Sequence, residues 1–399
     1  MTTKDFNSIL NRRGNGSMKW SKEHIGRRFN VRISDDDEIY PMYIADTDFK
    51  YPKKIMDEFY EKYQEPDFGY FDMPDGYFES IVEWYKKIHG ISIQKEWIIP
   101  SIGTVTSLNL LADMLGRGKN FLIFTPVYRP FKNCEQFGNL YTLPLIYKDQ
   151  QYFIDFENLE KSFIENHIDL ILFCNPHNPG GRVWNRKELR RLVTLCKKYQ
   201  VIILSDEIHA DVQLSERKFV SLLEFQEDYD QIVISTSPNK TFNIAGLSCS
   251  YVLSGNEKIR QDFQNLLNRY HFAPNRVGIE MTEIVYHDGQ EWLQNMRQVV
   301  AKNVSIVTEV LESVGIQVMQ PDAGFLVWVR LDSAINIEDF ILKIAKDKNI
   351  YLETGSRFVD NYEGWLRINV GTITQRAEEA MRRFKDFYSS YLKEIKNKI

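Results

Sequence analysis

The sequence predicts an α/β protein: a mostly parallel sheet covered by helices on both faces, accompanied by a smaller α+β domain. Three observations carry this. From about residue 50 to 290, apolar runs of strand length alternate with amphipathic helical stretches, the pattern of successive βαβ units. Three of those runs end in Asn178, Asp206 and Lys240, residues suited to chemistry at strand ends. After about residue 290 the alternation stops and a long helical stretch leads into short strands and a closing helix.

Taken in order, Phe121-Leu122-Ile123-Phe124 and Ile168-Asp169-Leu170-Ile171-Leu172-Phe173 read as strands, since strands buried on both faces are near-continuously apolar. A helix is expected from Arg186 to Tyr199, then strands Val201 to Leu204, Ile232 to Ile234 and Ser250 to Leu253. Beyond them come a helix from roughly Glu291 to Val314, strands Gly324 to Val329 and Leu366 to Val370, and a helix from about Thr374 to Lys396. No repeat, low-complexity tract or Pro/Gly-rich linker divides the chain.

Composition narrows the functional classes. The chain has 399 residues, 43 % of them hydrophobic, enough for two domains with sizeable cores. Its formal charge is −5 with acids and bases interspersed, so no nucleic-acid-binding face is expected. Met1 to Phe6 lack the apolar core of a signal peptide, and no run approaches the roughly 18 apolar residues of a membrane span. A cytoplasmic protein with no membrane partner is expected. Cys134, Cys174, Cys196 and Cys249 are scattered without metal-ligand spacing, and His177 and His209 belong to no His-Glu-x-x-His pair, so neither a metal nor a disulfide is expected.

The three strand ends point to one chemistry. Leu170 to Cys174 leads into Asn175-Pro176-His177-Asn178-Pro179-Gly180, Val201 to Ser205 ends in Asp206, and Gln231 to Ser235 precedes Ser237-Pro238-Asn239-Lys240. A pyridoxal phosphate site needs a lysine to hold the cofactor as an imine, an anion to keep its ring nitrogen protonated, and a donor to its phenolic oxygen. Lys240, Asp206 and Asn178 suit those roles in turn. Each alone has an ordinary structural reading, as surface lysine, helix cap or turn residue. Their joint order at successive strand ends favours the site.

With these residues in view, the chain resembles the fold-type I pyridoxal-phosphate enzymes, in particular the MalY/PatB branch of carbon–sulfur β-lyases that includes bacterial cystathionine β-lyases. The likeness runs from about Asn11 to the C-terminal helix. It rests on Arg12-Arg13-Gly14 with Met18-Lys19-Trp20, on Pro41-Met42-Tyr43-Ile44-Ala45-Asp46-Thr47-Asp48-Phe49, and on Phe68-Gly69-Tyr70. Thr125-Pro126-Val127-Tyr128, the Asn175 to Trp184 segment, Ser205-Asp206-Glu207-Ile208-His209, the Lys240 segment and Trp365-Leu366-Arg367-Ile368-Asn369 complete it. Each motif is common alone; eight in this order are specific.

The resemblance implies a seven-stranded-type sheet in a large domain of residues 50–290, with 1–49 and 291–399 forming the small one. It implies that Lys240 and Tyr128 are the catalytic residues, with the Tyr128 ring stacked on the cofactor. It places Gly103, Thr104 and Ser237 on the phosphate, Gly103 preceding a predicted helix where backbone N–H groups are free. His209 is expected beside Asp206, and Arg367 is expected to hold the substrate carboxylate through two parallel hydrogen bonds. Tyr43 stands in the substrate pocket where such lyases often have tryptophan, and Arg129 follows Tyr128 in a segment that shapes it. The cation that related aminotransferases carry shortly after Gly246-Leu247 is missing, Ser248-Cys249-Ser250 standing there instead. Tyr70 is implied to reach the phosphate from a partner subunit, hence a homodimer with shared active sites.

The reaction so implied is β-elimination from cystathionine or a related cysteine S-conjugate, giving a thiol, pyruvate and ammonia. Two other readings stand beside it: an aminotransferase, and a regulatory protein that binds a transcription factor through the same fold. A dehydrogenase is a poor match, since Gly116-Arg117-Gly118 lacks the third glycine of a dinucleotide fingerprint.

Overall fold

The computed structural model describes residues 6–360 and 362–397. Of the opening stretch read above for a signal peptide, only Phe6 falls within them. The central sheet has seven strands: β1 (Ile98–Ser101), β2 (Asn120–Thr125), β3 (Asn139–Pro144), β4 (Leu170–Cys174), β5 (Ile202–Asp206), β6 (Ile232–Thr236) and β7 (Ser250–Leu253). Their spatial order is β1-β7-β6-β5-β4-β2-β3. Every pairing from β3 across to β6 is parallel.

Strand β7 departs from the regular alternation expected for its run. It lies antiparallel to both β6 and β1. A parallel return needs a crossover long enough to recross the sheet, usually a helix. The connection 237–249 holds only one 3-10 turn, Ala245–Leu247, so the chain turns back beside β6. That returning connection carries Lys240.

Both faces of the sheet are buried. Phe121, Ile123, Leu170, Leu172, Leu204 and Val233 pack in one core group, while their neighbours Leu122, Phe124, Ile171, Phe173, Ile203 and Ile232 pack in another, as strand periodicity requires. Helix Thr104–Gly116 follows β1 directly. Helix Arg186–Tyr199 starts in a capping box, Asn185 accepting from the Glu188 amide while the Glu188 side chain accepts from Asn185, and it buries Leu189, Leu192, Val193 and Cys196.

The C-terminal part builds an antiparallel sheet in the order Gln317–Met319, Leu326–Arg330, Trp365–Asn369, Glu353–Thr354. Helices Gln290–Glu312 and Thr374–Lys396 pack together beside it. The N-terminal segment joins this part, with Tyr40–Pro41 pairing parallel to Ile350–Tyr351. Among the described residues no helix is long and apolar enough to cross a membrane.

Candidate active site

The carboxyl ends of β4, β5 and β6 open onto a cavity of about 460 Å³. Short loops after the first and third strands, and the end of the second, bring Asn178, Lys240 and Asp206 to its wall together. Gly103, Thr104 and Tyr128 come from the large sheet's other connections; Tyr43 and Arg367 come from the N- and C-terminal segments. The cavity therefore lies where the two parts of the chain meet.

Asp206 is 6 % exposed and accepts a hydrogen bond from the Ile208 amide at 3.1 Å. Burial raises its carboxyl pKa to about 6, against the lowering effects of that amide and of Lys240. A buried carboxylate of this kind is poised to gain from a cationic partner in the cavity. Burial lowers the pKa of the Lys240 amine; Asp46 and Asp206 oppose the shift and Arg367 adds to it. His209 also lines the cavity, and burial beside Lys240 and Arg367 holds its pKa at about 3, so its ring is neutral. Its Nδ1 is buried without a hydrogen-bond partner.

Arg367 is buried in the middle of the C-terminal sheet. Its Nη1 donates to Asn178 Oδ1 at 3.3 Å and its Nη2 to the Tyr43 carbonyl at 3.0 Å, while Nε has no partner. An unpaired N–H on a buried guanidinium is a vacancy suited to an anionic ligand. With its oxygen facing the guanidinium, the Asn178 amide has its N–H₂ end left to donate. Tyr128 is 38 % exposed and bridges to Phe358, whose ring lies under the Arg367 guanidinium at 5.2 Å. Tyr43 is fully buried, its hydroxyl donating to the Met18 carbonyl at 3.1 Å.

One end of the cavity is a cradle of backbone and hydroxyl groups. Gly103 precedes helix Thr104–Gly116 with φ +142°, a conformation that side chains disfavour, and no side chain caps that helix start. Its first amides are therefore aimed at the cavity end as an anion site. Thr104 Oγ1 donates to Ser237 Oγ at 3.3 Å, and Ser250 Oγ accepts from the Gly103 amide at 2.8 Å. Ser248, on the cavity wall, adopts a left-handed conformation at φ +49°. Hydroxyls thus occupy the segment where the expected cation is missing.

Of the residues singled out in the sequence, Lys240, Asp206, Asn178, Tyr128, Gly103, Thr104, His209, Arg367 and Tyr43 meet at this cavity, and Ser237 stands one contact behind Thr104. Tyr70 does not. Its side chain is fully exposed in the loop between helices Lys53–Lys62 and Asp75–Trp84, away from the cavity wall of its own chain.

Sequence reasoning missed two features. The Lys240 amine donates to the Ala45 carbonyl at 2.6 Å. That turn is fixed from behind: Arg12 meets Asp46 at 2.5 Å and Lys19 meets Asp48 at 3.0 Å, with Trp20 Nε1 donating to Asp48 at 2.9 Å. Glu353 also lines the cavity, from a two-residue strand too short to leave a pattern. A conspicuous density of charge in Arg12-Arg13, Lys19 and Asp46-Thr47-Asp48 was the available signal for the first; the second left none.

The residues fit pyridoxal phosphate. The cavity is lined by a lysine amine of lowered pKa, a buried carboxylate, an uncapped helix start behind a glycine of positive φ, and a guanidinium whose Nε has no partner.

Comparison with known proteins agrees with that geometry. Residues 46–384 match the family model for class I and II aminotransferases. The chain is 31 % identical to cystathionine β-lyase PatB of Bacillus subtilis, over 96 % of this chain and 99 % of that protein. Cystalysin of Treponema denticola, a structure containing pyridoxal 5′-phosphate, superposes with a TM-score of 0.90 at 28 % identity, covering 97 % of this chain and 99 % of its own. The pyridoxal-phosphate-bound C–S lyase of Staphylococcus hominis superposes with a TM-score of 0.86 at 29 % identity, covering 96 % and 97 %.

Proposed function

The chain belongs to the class I and II aminotransferase family, and from that premise we propose that it is a pyridoxal-phosphate-dependent carbon–sulfur β-lyase. Its substrate is cystathionine or a related cysteine S-conjugate, cleaved to a thiol, pyruvate and ammonia. The observation that carries this reading is the meeting of Lys240, Asp206 and Arg367 on one cavity, in a chain whose near-full-length relatives include carbon–sulfur lyases.

Bound pyridoxal phosphate supplies a protonated ring that draws electron density from the substrate's Cα. Lys240 would hold it as an imine, Asp206 would keep the ring-nitrogen proton, Asn178 would donate to the phenolic oxygen and Tyr128 would stack on the ring. Gly103, Thr104 and Ser237 would take the phosphate, and neutral His209 backs Asp206 without competing for its charge. Residues 50–290 form the cofactor-binding domain; 1–49 and 291–399 form the smaller domain that brings the substrate contacts.

Arg367 and Asn178 hold the substrate's α-carboxylate, and Tyr43 packs beside it. That contact fixes which bond of Cα faces Lys240. The Lys240 amine takes the proton from Cα, and burial, which lowers its pKa, favours the unprotonated form that can do so. The Ala45 carbonyl receives the ammonium so formed, and the charge of Asp46 stabilises it. The Cβ–S electron pair leaves on sulfur, and a thiol of pKa about 8.5 needs little acid assistance to leave. The released enamine takes up water to give pyruvate and ammonia.

The active unit in this reading is a homodimer. Tyr70, Phe68 and Tyr60 are exposed large aromatics on one loop and its flanking helix, an arrangement suited to burial against a second copy. Tyr70 then completes the phosphate site of the other subunit, in place of the cation missing after Gly246-Leu247.

Borohydride reduction of the purified protein followed by peptide mass spectrometry tests the cofactor and its anchor. The reading expects a phosphopyridoxyl group on the Lys240 peptide, with pyruvate released from cystathionine by the unreduced protein. A label elsewhere, or a colourless protein that gives no pyruvate after cofactor is added, overturns it.

A further inference from the structure

Two carboxylates stand on the cavity wall among the described residues, Asp206 and Glu353, and the reaction above uses only the first. Glu353 lies on the edge strand Glu353–Thr354 directly opposite Arg367 in register, so the two side chains share a face of the sheet. Its Oε1 accepts from Arg28 Nη2 at 2.6 Å, and its Oε2 has no hydrogen bond among the described residues. The Arg28 guanidinium lies over the ring of Tyr43, 4.9 Å from its centroid, and is not part of the cavity wall. The ion pair therefore presents its negative end to the cavity and keeps its positive end behind Tyr43. The field of Glu353 acts on both Arg367 and Tyr128, the residues flanking the substrate space.

We propose that Glu353 makes this site prefer cysteine S-conjugates whose leaving thiol carries an ammonium group over those whose thiol carries a carboxylate. The inference rests on the lyase reading. Once Arg367 has taken the α-carboxylate, the remaining fixed charge beside the substrate is negative. A distal ammonium gains attraction and a hydrogen bond to Oε2 of a carboxylate whose side chain is only 13 % exposed; a distal carboxylate meets repulsion there. A neutral thiol group of the same length is affected by neither. Selection then depends on charge at the far end of the conjugate rather than on chemistry at Cβ, which is the same in all three.

Pyruvate release from S-(2-aminoethyl)-, S-propyl- and S-(2-carboxyethyl)-L-cysteine tests this with the dimeric holoenzyme and no keto acid. In the wild type kcat/KM for the aminoethyl conjugate should exceed that for the carboxyethyl conjugate about tenfold, carried mainly by KM. Glu353→Gln should bring that ratio to within about threefold of unity, and Glu353→Asp should restore part of it. Arg28→Gln, which strips the carboxylate of its countercharge, should widen it. Equal rates on all three conjugates in the wild type overturn the proposal while leaving the lyase reading intact. So does a Glu353→Gln variant that loses activity on all three alike, the mark of a purely structural ion pair. Pyruvate from none of them removes the lyase reading and this inference with it.

Discussion

The Lys240 amine and the Ala45 carbonyl are joined by a 2.6 Å hydrogen bond across the junction of the two parts of the chain. Residues 195 positions apart are thereby in contact at the reacting centre. The turn bearing Ala45 is held by ion pairs from Arg12 and Lys19 to Asp46 and Asp48. Asp46, the largest of the charges acting on Lys240, stabilises the ammonium form. Removing that charge lowers the lysine pKa further. In Asp46→Asn the limb of the kcat–pH profile set by the unprotonated lysine should move to lower pH. Arg12→Gln, which loosens the turn without touching Lys240, should lower kcat with a smaller shift.

Asp206→Asn should leave the fold intact and weaken the protein's hold on the cofactor. A neutral amide loses a charge-assisted hydrogen bond in a buried site, so turnover should fall about 100-fold or more. Equilibrium dialysis of cofactor and steady-state kinetics measure the two effects separately.

Arg367→Gln should raise KM by about 100-fold, because two charge-assisted bonds to the substrate carboxylate are lost. Arg367→Lys should recover only part of it, an ammonium lacking the parallel donor pair. Titration with a decarboxylated substrate analogue checks the assignment, since its affinity should be the same in all three proteins.

Glu207 gives a pH prediction for the cofactor-free protein. Its carboxyl is fully buried, accepting from Ser221 at 2.6 Å, Leu222 N at 3.0 Å and Asn175 at 3.3 Å, yet desolvation outweighs these donors and raises its pKa to about 7. The folded state therefore binds the proton more tightly than the unfolded one. Its contribution to stability is full below about pH 4.5 and is lost as pH rises through about 7, by roughly 3 kcal/mol. Glu207→Gln keeps the acceptor oxygen and can donate to Ser221. Denaturant midpoints between pH 5 and 8 should be flatter in that variant than in the wild type.

Shared active sites can be read from subunit mixing. Tyr70→Ala and Lys240→Ala homodimers should each be nearly inactive. Co-refolded mixtures should recover roughly a quarter of wild-type activity, because half the dimers are hybrids and each hybrid has one intact site. No recovery places Tyr70 in its own subunit's chemistry, and an active Tyr70→Ala homodimer places it outside the site.

The sequence was informative where local pattern and tertiary structure agree. Buried parallel strands are continuously apolar, and the loops after them are short, so Asn178, Asp206 and Lys240 were legible as strand-end residues. The Arg186–Tyr199 and Thr374–Lys396 helices were legible from their amphipathic period. What remained hidden depends on pairing between distant segments. The contact of Lys240 with Ala45 follows from Tyr40–Pro41 docking on Ile350–Tyr351, and Glu353 reaches the cavity only through its register with Arg367. Two-residue strands have no period to read. The direction of β7 was hidden for a related reason, since its apolar run is the same whichever way it is paired.

The central claim is that Lys240 and its partners direct a deprotonated substrate to lose its thiol rather than pass on its amino group. Both outcomes are resolved at once by incubating the holoenzyme with ¹³C-labelled cystathionine and a 2-oxo acid, and following the products by NMR. The account predicts labelled pyruvate, ammonia and free thiol at a rate independent of the 2-oxo acid, all lost in Lys240→Ala. Label retained in an intact keto acid, with stoichiometric amination of the added 2-oxo acid, would contradict it.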